Sequence, residues 1–178
     1  LEKFKLHFNR HPTWETAAAI TSSVNVNTLT SFRKGKFEIQ DLSSQMVALA
    51  CSPEIGQRWW DVCCGGGGKT LHLATLMQGR GEVWATDIRE SALAELHRRV
   101  KKTRLKNITT QLLEQGPSDF ALMPSSNDDE NKLFDGVLVD APCSGMGTWR
   151  RNPDARWRIG LEDIDQFSKL QSKKSKLV

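Results

Sequence analysis

Residues Asp61 to Thr70 read DVCCGGGGKT, four glycines running straight into Lys69 and Thr70. A glycine-rich turn that opens into a helix lets a ligand lie against bare backbone, with the helix amides aimed at it. A nucleoside triphosphate and another kind of nucleotide or nucleoside both fit such a turn. The triphosphate loop follows G-x-x-x-x-G-K-[ST], and the residue five before Gly68 is Cys63, so its first glycine is missing. Against this, GVLVD, ending at Asp140, resembles the magnesium-binding strand of triphosphate enzymes. Asp87 tips the balance. It ends the next apolar stretch, GEVWATD, where doubly wound folds place an acid that accepts hydrogen bonds from ribose hydroxyls. A plainer role for Asp87 is to cap the helix that begins at ESALAEL.

The second chemical stretch is DAPCSGMGTWRRNPDARW, residues 140–157. Asp140 is expected to end a buried strand, Pro142 restrains the backbone, and Cys143 is presented at the carboxyl edge of the sheet. A cysteine beside an acid, facing a nucleoside cofactor, suits chemistry on a pyrimidine ring. Carbon 5 of cytosine is a poor nucleophile until a group such as a thiolate adds to carbon 6. Asp140 can hydrogen-bond the amino edge and ring nitrogen of such a base. Taken alone, Cys143 would read as a small buried residue. Its surroundings argue otherwise.

These residues need elements to position them. DLSSQMVALA predicts a helix capped by Asp41, with Leu42, Met46 and Leu49 on one face. QRWWDVCC predicts a strand, GKTLHLATLMQ a helix, GEVWATD a strand and ESALAELHRRVKKTRL a helix. NITTQLLE and FDGVLVDAP predict two more strands, and LEDIDQFSKLQSKKSKLV a last helix with Leu161, Ile164, Phe167 and Leu170 spaced three apart. This β-α-β-α-β order predicts an α/β fold with a parallel, doubly wound sheet. Residues 1–40 read as an N-terminal appendage or arm and 41–178 as the main domain. PSSNDDENK, between the third and fourth strands, reads as a polar surface loop.

At 178 residues the chain can bury a real core, and its composition, 38% hydrophobic and 26% charged, suits a globular protein. No apolar run reaches the roughly 18 residues of a membrane span, and LEKFKLHFNR is no signal peptide. The four cysteines show no metal-binding spacing, and adjacent Cys63 and Cys64 are poorly placed to bridge, which favours a reducing, cytoplasmic setting. A net charge of +4 weakly favours an anionic partner. Basic residues cluster at RRVKKTRLK and WRRNPDARWR. A solvated helix face explains the first cluster as well as RNA does. In the second, Arg150 and Arg151 directly follow the Pro-Cys segment, and Trp149 and Trp157 offer rings on which splayed bases can stack. His72 and His97 have no ligand partners in sequence, while Trp59, Trp60 and Trp84 read as packing residues.

KGKFEIQDLSSQ, DVCCGGGGKT, Asp87, DAPCSG and RRNPDARW together resemble the Sun/RsmB-type (NOP-type) family of RNA cytosine-5 methyltransferases, from about Gly35 to Val178. The resemblance implies a Rossmann-like methyltransferase sheet, S-adenosyl-L-methionine as cofactor, no metal, and an RNA partner (rRNA or tRNA). It implies that Cys64, Gly65, Gly66, Gly67, Gly68, Lys69 and Thr70 line the methionine end of the cofactor and that Asp87 holds the ribose. Glu114 falls near the adenine, where the family usually has Asp, and Asp140 reaches both cofactor and base. Cys143 matches the Pro-Cys cysteine associated with product release. The first motif departs from the family's usual Ala-Ala-Pro-Gly-Gly, and glycine in place of proline at Gly66 loosens the loop. The family's attacking cysteine belongs to a later Thr-Cys motif that does not occur before Val178. The expectation is therefore a cofactor-binding part of the fold, C-terminally incomplete, with its fourth strand an open edge through which copies could associate. An inactive cofactor- or RNA-binding module is the alternative, a P-loop-like triphosphatase a distant third, and a eukaryotic source would allow a nucleolar or organellar location.

Overall fold

The computed structural model describes residues 7–113, 133–150 and 152–175. Glu114, Arg151 and the acidic loop PSSNDDENK lie outside the described residues. The apolar stretches form strands, as their pattern predicts. β3 (Arg58–Asp61) is buried at every position, as the central strand of a sheet covered on both faces must be. It is flanked by β4 (Glu82–Asp87) and β6 (Gly136–Leu138), and β5 (Ile108–Leu112) lies outside β4, giving the order β5-β4-β3-β6. All three pairings are parallel, with Trp60 opposite both Trp84 and Val137. The chain steps outward from β3 through β4 to β5, then returns to the other side of β3 as β6. The order therefore reverses between β3 and β6, and the carboxyl ends of strands at such a reversal are where open α/β sheets bind ligands. Among the described residues, β6 lies at one end of this strand order.

Two strand ends differ from expectation. The strand expected to run through Cys64 stops at Asp61, because the chain turns at Val62 and Cys63 toward the glycines. Sheet-like bonds persist there, from the amide of Val62 to Leu138 O and from the amide of Cys64 to Thr86 O, both 2.9 Å. Asp140 does not end its strand. β6 finishes at Leu138, and Asp140 sits two residues beyond, on the exposed rim.

Helices α2 (Leu42–Cys51), α3 (Gly68–Leu76) and α4 (Glu90–Val100) pack around this sheet. α2 follows Asp41, which holds the N-cap position without the expected side-chain capping bond, and it turns a different face inward. Ala48 is fully buried, with Val47 and Cys51 beside it, whereas Leu42 and Met46 are half exposed. α2 packs against α3, and the small Ala48 side chain suits that approach. α5 (Ala155–Arg158) and α6 (Leu161–Ser175) follow β6. In α6 Leu161 is 83% exposed, Ile164 is also exposed, and Phe167 and Leu170 are half buried. A three-residue spacing drifts around a helix of 3.6 residues per turn, so these four side chains do not share one stripe.

Two apolar clusters flank the sheet. Trp59, Leu73, Ala74, Met77, Val83 and Leu138 pack with Ala48 in one, and Cys64, Leu71, Ala85, Leu93 and Leu96 form the other. Trp60 is buried and donates its indole N–H to Thr86 Oγ1 at 3.1 Å. Upstream, β1 (Phe8–Arg10) and β2 (Ala18–Ile20) pair antiparallel, with His11 stacked on Trp14 at 4.3 Å between ring centres. The short helix α1 (Thr30–Arg33) follows.

The turn from β3 into α3 depends on one residue having no side chain. Gly67 has φ +80° at the start of α3, and a Cβ there would collide with Leu96 of α4. Gly67→Ala is therefore expected to combine left-handed strain with overpacking, a loss of roughly 2–4 kcal/mol. Chemical denaturation of the variant checks this, and an unchanged midpoint would show that the loop tolerates a side chain.

Candidate functional site

The loop after β3 and the acid at the end of β4 meet directly. Asp87 is only 5% exposed, and its Oδ2 accepts the Gly65 N–H at 2.9 Å. Its Oδ1 accepts the Arg89 N–H, also at 2.9 Å, just ahead of α4. The Arg89 side chain adds bonds from Nε to Oδ1 at 3.1 Å and from Nη2 to Oδ2 at 3.2 Å. Burial pushes the Asp87 pKa up, but the hydrogen bonds from Arg89 and Gly65, with the Arg89 charge, prevail and hold it below its usual value. Asp87 thus serves the start of α4 and also ties the glycine loop to β4. A carboxylate offers about four acceptor sites, and these four donors fill them. The two donors from the Arg89 side chain are held by a residue that is 64% exposed, so they are the ones a ligand's hydroxyls can replace.

Across the strand reversal, Lys69 Nζ from α3 meets Asp140 Oδ2 beyond β6 at 2.6 Å. Lys69 is mostly covered, whereas Asp140 is 54% exposed, leaving its carboxylate accessible from solvent. Beneath this pair, Thr70 Oγ1 donates to Asp61 Oδ2 at 2.7 Å, and both residues are buried. Asp61 Oδ1 is buried with no hydrogen-bond partner. Burial drives the Asp61 pKa up to about 6; the Thr70 bond, Lys69 and the Cys63 backbone pull it down, while Asp140 pushes it further up. Asp61 is not among the site residues that the sequence motifs point to, although an acid ending a buried strand just before a glycine turn is a signal for it. A buried carboxylate with a vacant oxygen beside bare backbone suits a ligand carrying positive charge.

The cysteines separate by environment. Cys143 is exposed, and the Gly145 N–H approaches its Sγ at 3.4 Å. Gln171 of α6 donates to Pro142 O at 2.9 Å and so braces the turn that carries Cys143. Cys64 is buried among Leu71, Ala85, Leu93 and Leu96, so its backbone belongs to the loop and its side chain to the core. Burial, then Asp61 and Asp87, push its thiol pKa well up, which disfavours a reactive thiolate. Gly65 through Gly68 form the turn itself, with positive φ at Gly65 and Gly67.

In the basic segment, Arg150 is exposed and Trp149 is partly buried. Trp157 is 78% exposed, with the Arg156 guanidinium 4.6 Å from its ring centre. His97 pairs with Thr110 Oγ1 at 2.6 Å, and burial lowers the His72 pKa. Among the described residues no His, Cys, Asp and Glu group could hold a metal, and no helix is long and apolar enough to cross a membrane.

A glycine loop after β3, a buried acid closing β4 and a Pro-Cys turn beyond β6 thus meet at the carboxyl edge of one parallel α/β sheet. The chain is similar to the crystal structure of PH0851, with a TM-score of 0.86 and 28% identity over 99% of this chain and 38% of that one. It is also similar to a methyltransferase homolog protein from Pyrococcus horikoshii, with a TM-score of 0.78 and 25% identity over 99% of this chain and 52% of that one. The profile of the family described as 16S rRNA methyltransferase RsmB/F matches residues 48–176, and the chain belongs to that family. Ribosomal RNA small subunit methyltransferase B of Klebsiella pneumoniae is 32% identical over 91% of this chain. The chain spans 36% of that relative's length.

Asp61 carries a measurable consequence. Its folded pKa, about 6, lies above the usual 3.8, so the native state holds this proton more tightly than the unfolded chain does. That stabilisation is complete below about pH 4 and is lost as pH rises through about 6. Asp61→Asn is therefore expected to stabilise the ligand-free protein by roughly 2–3 kcal/mol at pH 8 relative to its effect at pH 4. Denaturant unfolding at the two pH values checks this, and an equal effect at both would show that Asp61 ionises normally.

Proposed function

We propose that the chain holds S-adenosyl-L-methionine at the carboxyl ends of β3 and β4 and serves methylation of carbon 5 of a cytosine in ribosomal RNA. The observation that carries this reading is the bond from the Gly65 amide to the buried Asp87 carboxylate, which joins the bare-backbone turn to a ribose acceptor. The vacant oxygen of Asp61 suits a cationic methionine end, so the residues present fit this cofactor. When bound, the cofactor supplies an electrophilic methyl group. Asp87 would accept the ribose hydroxyls as the Arg89 side chain swings out. Asp140, held by Lys69, is accessible to the amino edge of a base, and the exposed Cys143 thiol stands three residues further on. By the family resemblance, Cys143 assists release of the methylated product. The structure of NSun6 from Pyrococcus horikoshii with SFG supports the assignment, with a TM-score of 0.58 and 27% identity over 72% of this chain and 32% of that one. Ribosomal RNA as substrate rests on the named relatives. Arg150, Trp149 and Trp157 supply RNA contacts in this reading, with Arg151 their neighbour in sequence, and Trp157 is the more available ring for stacking.

Two variants probe the cofactor site in opposite directions. Asp87→Ala should weaken S-adenosylmethionine binding by about 1–3 kcal/mol, or roughly tenfold or more. Arg89→Ala should instead tighten it a few-fold, because no bonds to Asp87 need be broken first. Calorimetry measures both, and unchanged affinity in Asp87→Ala would remove this residue from the site. On the RNA side, Arg150→Ala combined with Arg151→Ala should lower affinity for ribosomal RNA and flatten its salt dependence by up to about two phosphate contacts. An unaltered slope would make the segment ordinary surface.

A further inference from the structure

The four-glycine loop has little rigidity of its own, since each glycine loses more backbone freedom on ordering than any other residue would. A brace reaches it from two distant parts of the chain. Arg99, near the end of α4, donates from Nη1 to Gly66 O at 2.6 Å. Its other terminal nitrogen, Nη2, donates to Glu38 Oε2 at 2.9 Å, and both side chains are largely covered. Glu38 is itself held in place. Upstream of it, Gly35 presses so closely on the Lys102 backbone carbonyl that a Cβ would collide, and Phe32 lies under the Lys102 ammonium at 5.1 Å. Phe37 packs against Phe32 with ring centres 5.5 Å apart. On the downstream side, the Gln40 side chain reaches Gly68.

The geometry points to Arg99 and Glu38 as positioning residues for the cofactor loop: Arg99 clamps the Gly66 carbonyl and Glu38 orients the clamp. Only a planar guanidinium spans both acceptors at once, because a lysine ammonium has a single nitrogen to share between them. The clamp acts one residue further along the loop than the Asp87 tether. Gly65 is held by its amide and Gly66 by its carbonyl, so the peptide units on either side of the Gly65–Gly66 link are fixed before a ligand arrives. Ligand binding then loses less entropy to ordering the loop. It follows that residues upstream of the main domain contribute to the cofactor site.

This inference rests on the cofactor reading above, and its test has a readout that does not. In the ligand-free protein, Arg99→Leu should speed hydrogen exchange at the amides of residues 65–68 while leaving β4 unchanged. S-adenosylhomocysteine affinity should fall about tenfold in Arg99→Leu and by a smaller factor in Arg99→Lys and Glu38→Gln. A Cβ at Gly66 would meet Glu95 Cγ at 3.4 Å, an ordinary contact, so Gly66→Ala can stiffen the loop by other means. Added to Arg99→Leu, it should restore part of the lost affinity. Faster exchange with partial rescue supports the clamp. Unchanged exchange in Arg99→Leu, or purely additive effects of the two substitutions, overturns it even if the wild type binds S-adenosylhomocysteine normally. No binding by the wild type would overturn the cofactor reading and with it the role given to the clamp.

Discussion

The site depends on Leu96 of α4 filling the space that a side chain at Gly67 would need. Because that contact requires glycine, the chain can leave β3, turn left-handed and enter α3 directly beneath α4. The close approach brings both ends of α4 to one loop. Just ahead of its start, Asp87, bonded by Arg89, engages Gly65; toward its end, Arg99 engages Gly66. Local backbone chemistry at one residue thus sets how closely the loop approaches α4. That packing decides which polar groups can reach the ligand. Without it the loop would have its glycines but no fixed shape.

The charges around the loop then select the kind of ligand. Asp61, Asp87 and Asp140 all lie at the carboxyl ends of their strands or just beyond; Lys69 answers Asp140 and Arg89 answers Asp87, while Arg99 pairs with Glu38. Lys69 points to Asp140 rather than standing free for a phosphate. A triphosphate would set its negative charge against three carboxylates, one of them buried with a vacant oxygen. A nucleoside bearing a positive group meets the same acids favourably. The glycine-lysine-threonine run is shared with triphosphate loops, but its electrostatic setting is the reverse of theirs.

Much of this was readable in the sequence. The alternation of apolar stretches and helices predicts the parallel sheet, and Asp87 stands where the strand pattern places it, at the end of β4. What escaped is non-local. Asp61 reads as the polar end of a strand until the helices that bury it are in place. Arg99 belongs to a basic run, and nothing in that run shows that it spans from Gly66 to Glu38, 33 and 61 residues away. The inward face of α2 is not the one its large apolar residues suggest, because the close contact with α3 goes to the small Ala48. Asp140 was expected to end a strand, but β6 stops earlier and leaves it on the rim, paired with Lys69.

Titration calorimetry of the chain with S-adenosylhomocysteine, and separately with ATP and magnesium, tests the central claim most directly. The account predicts saturable, one-to-one binding of S-adenosylhomocysteine and no heat of binding with magnesium ATP. Tight binding of magnesium ATP without binding of S-adenosylhomocysteine would contradict it.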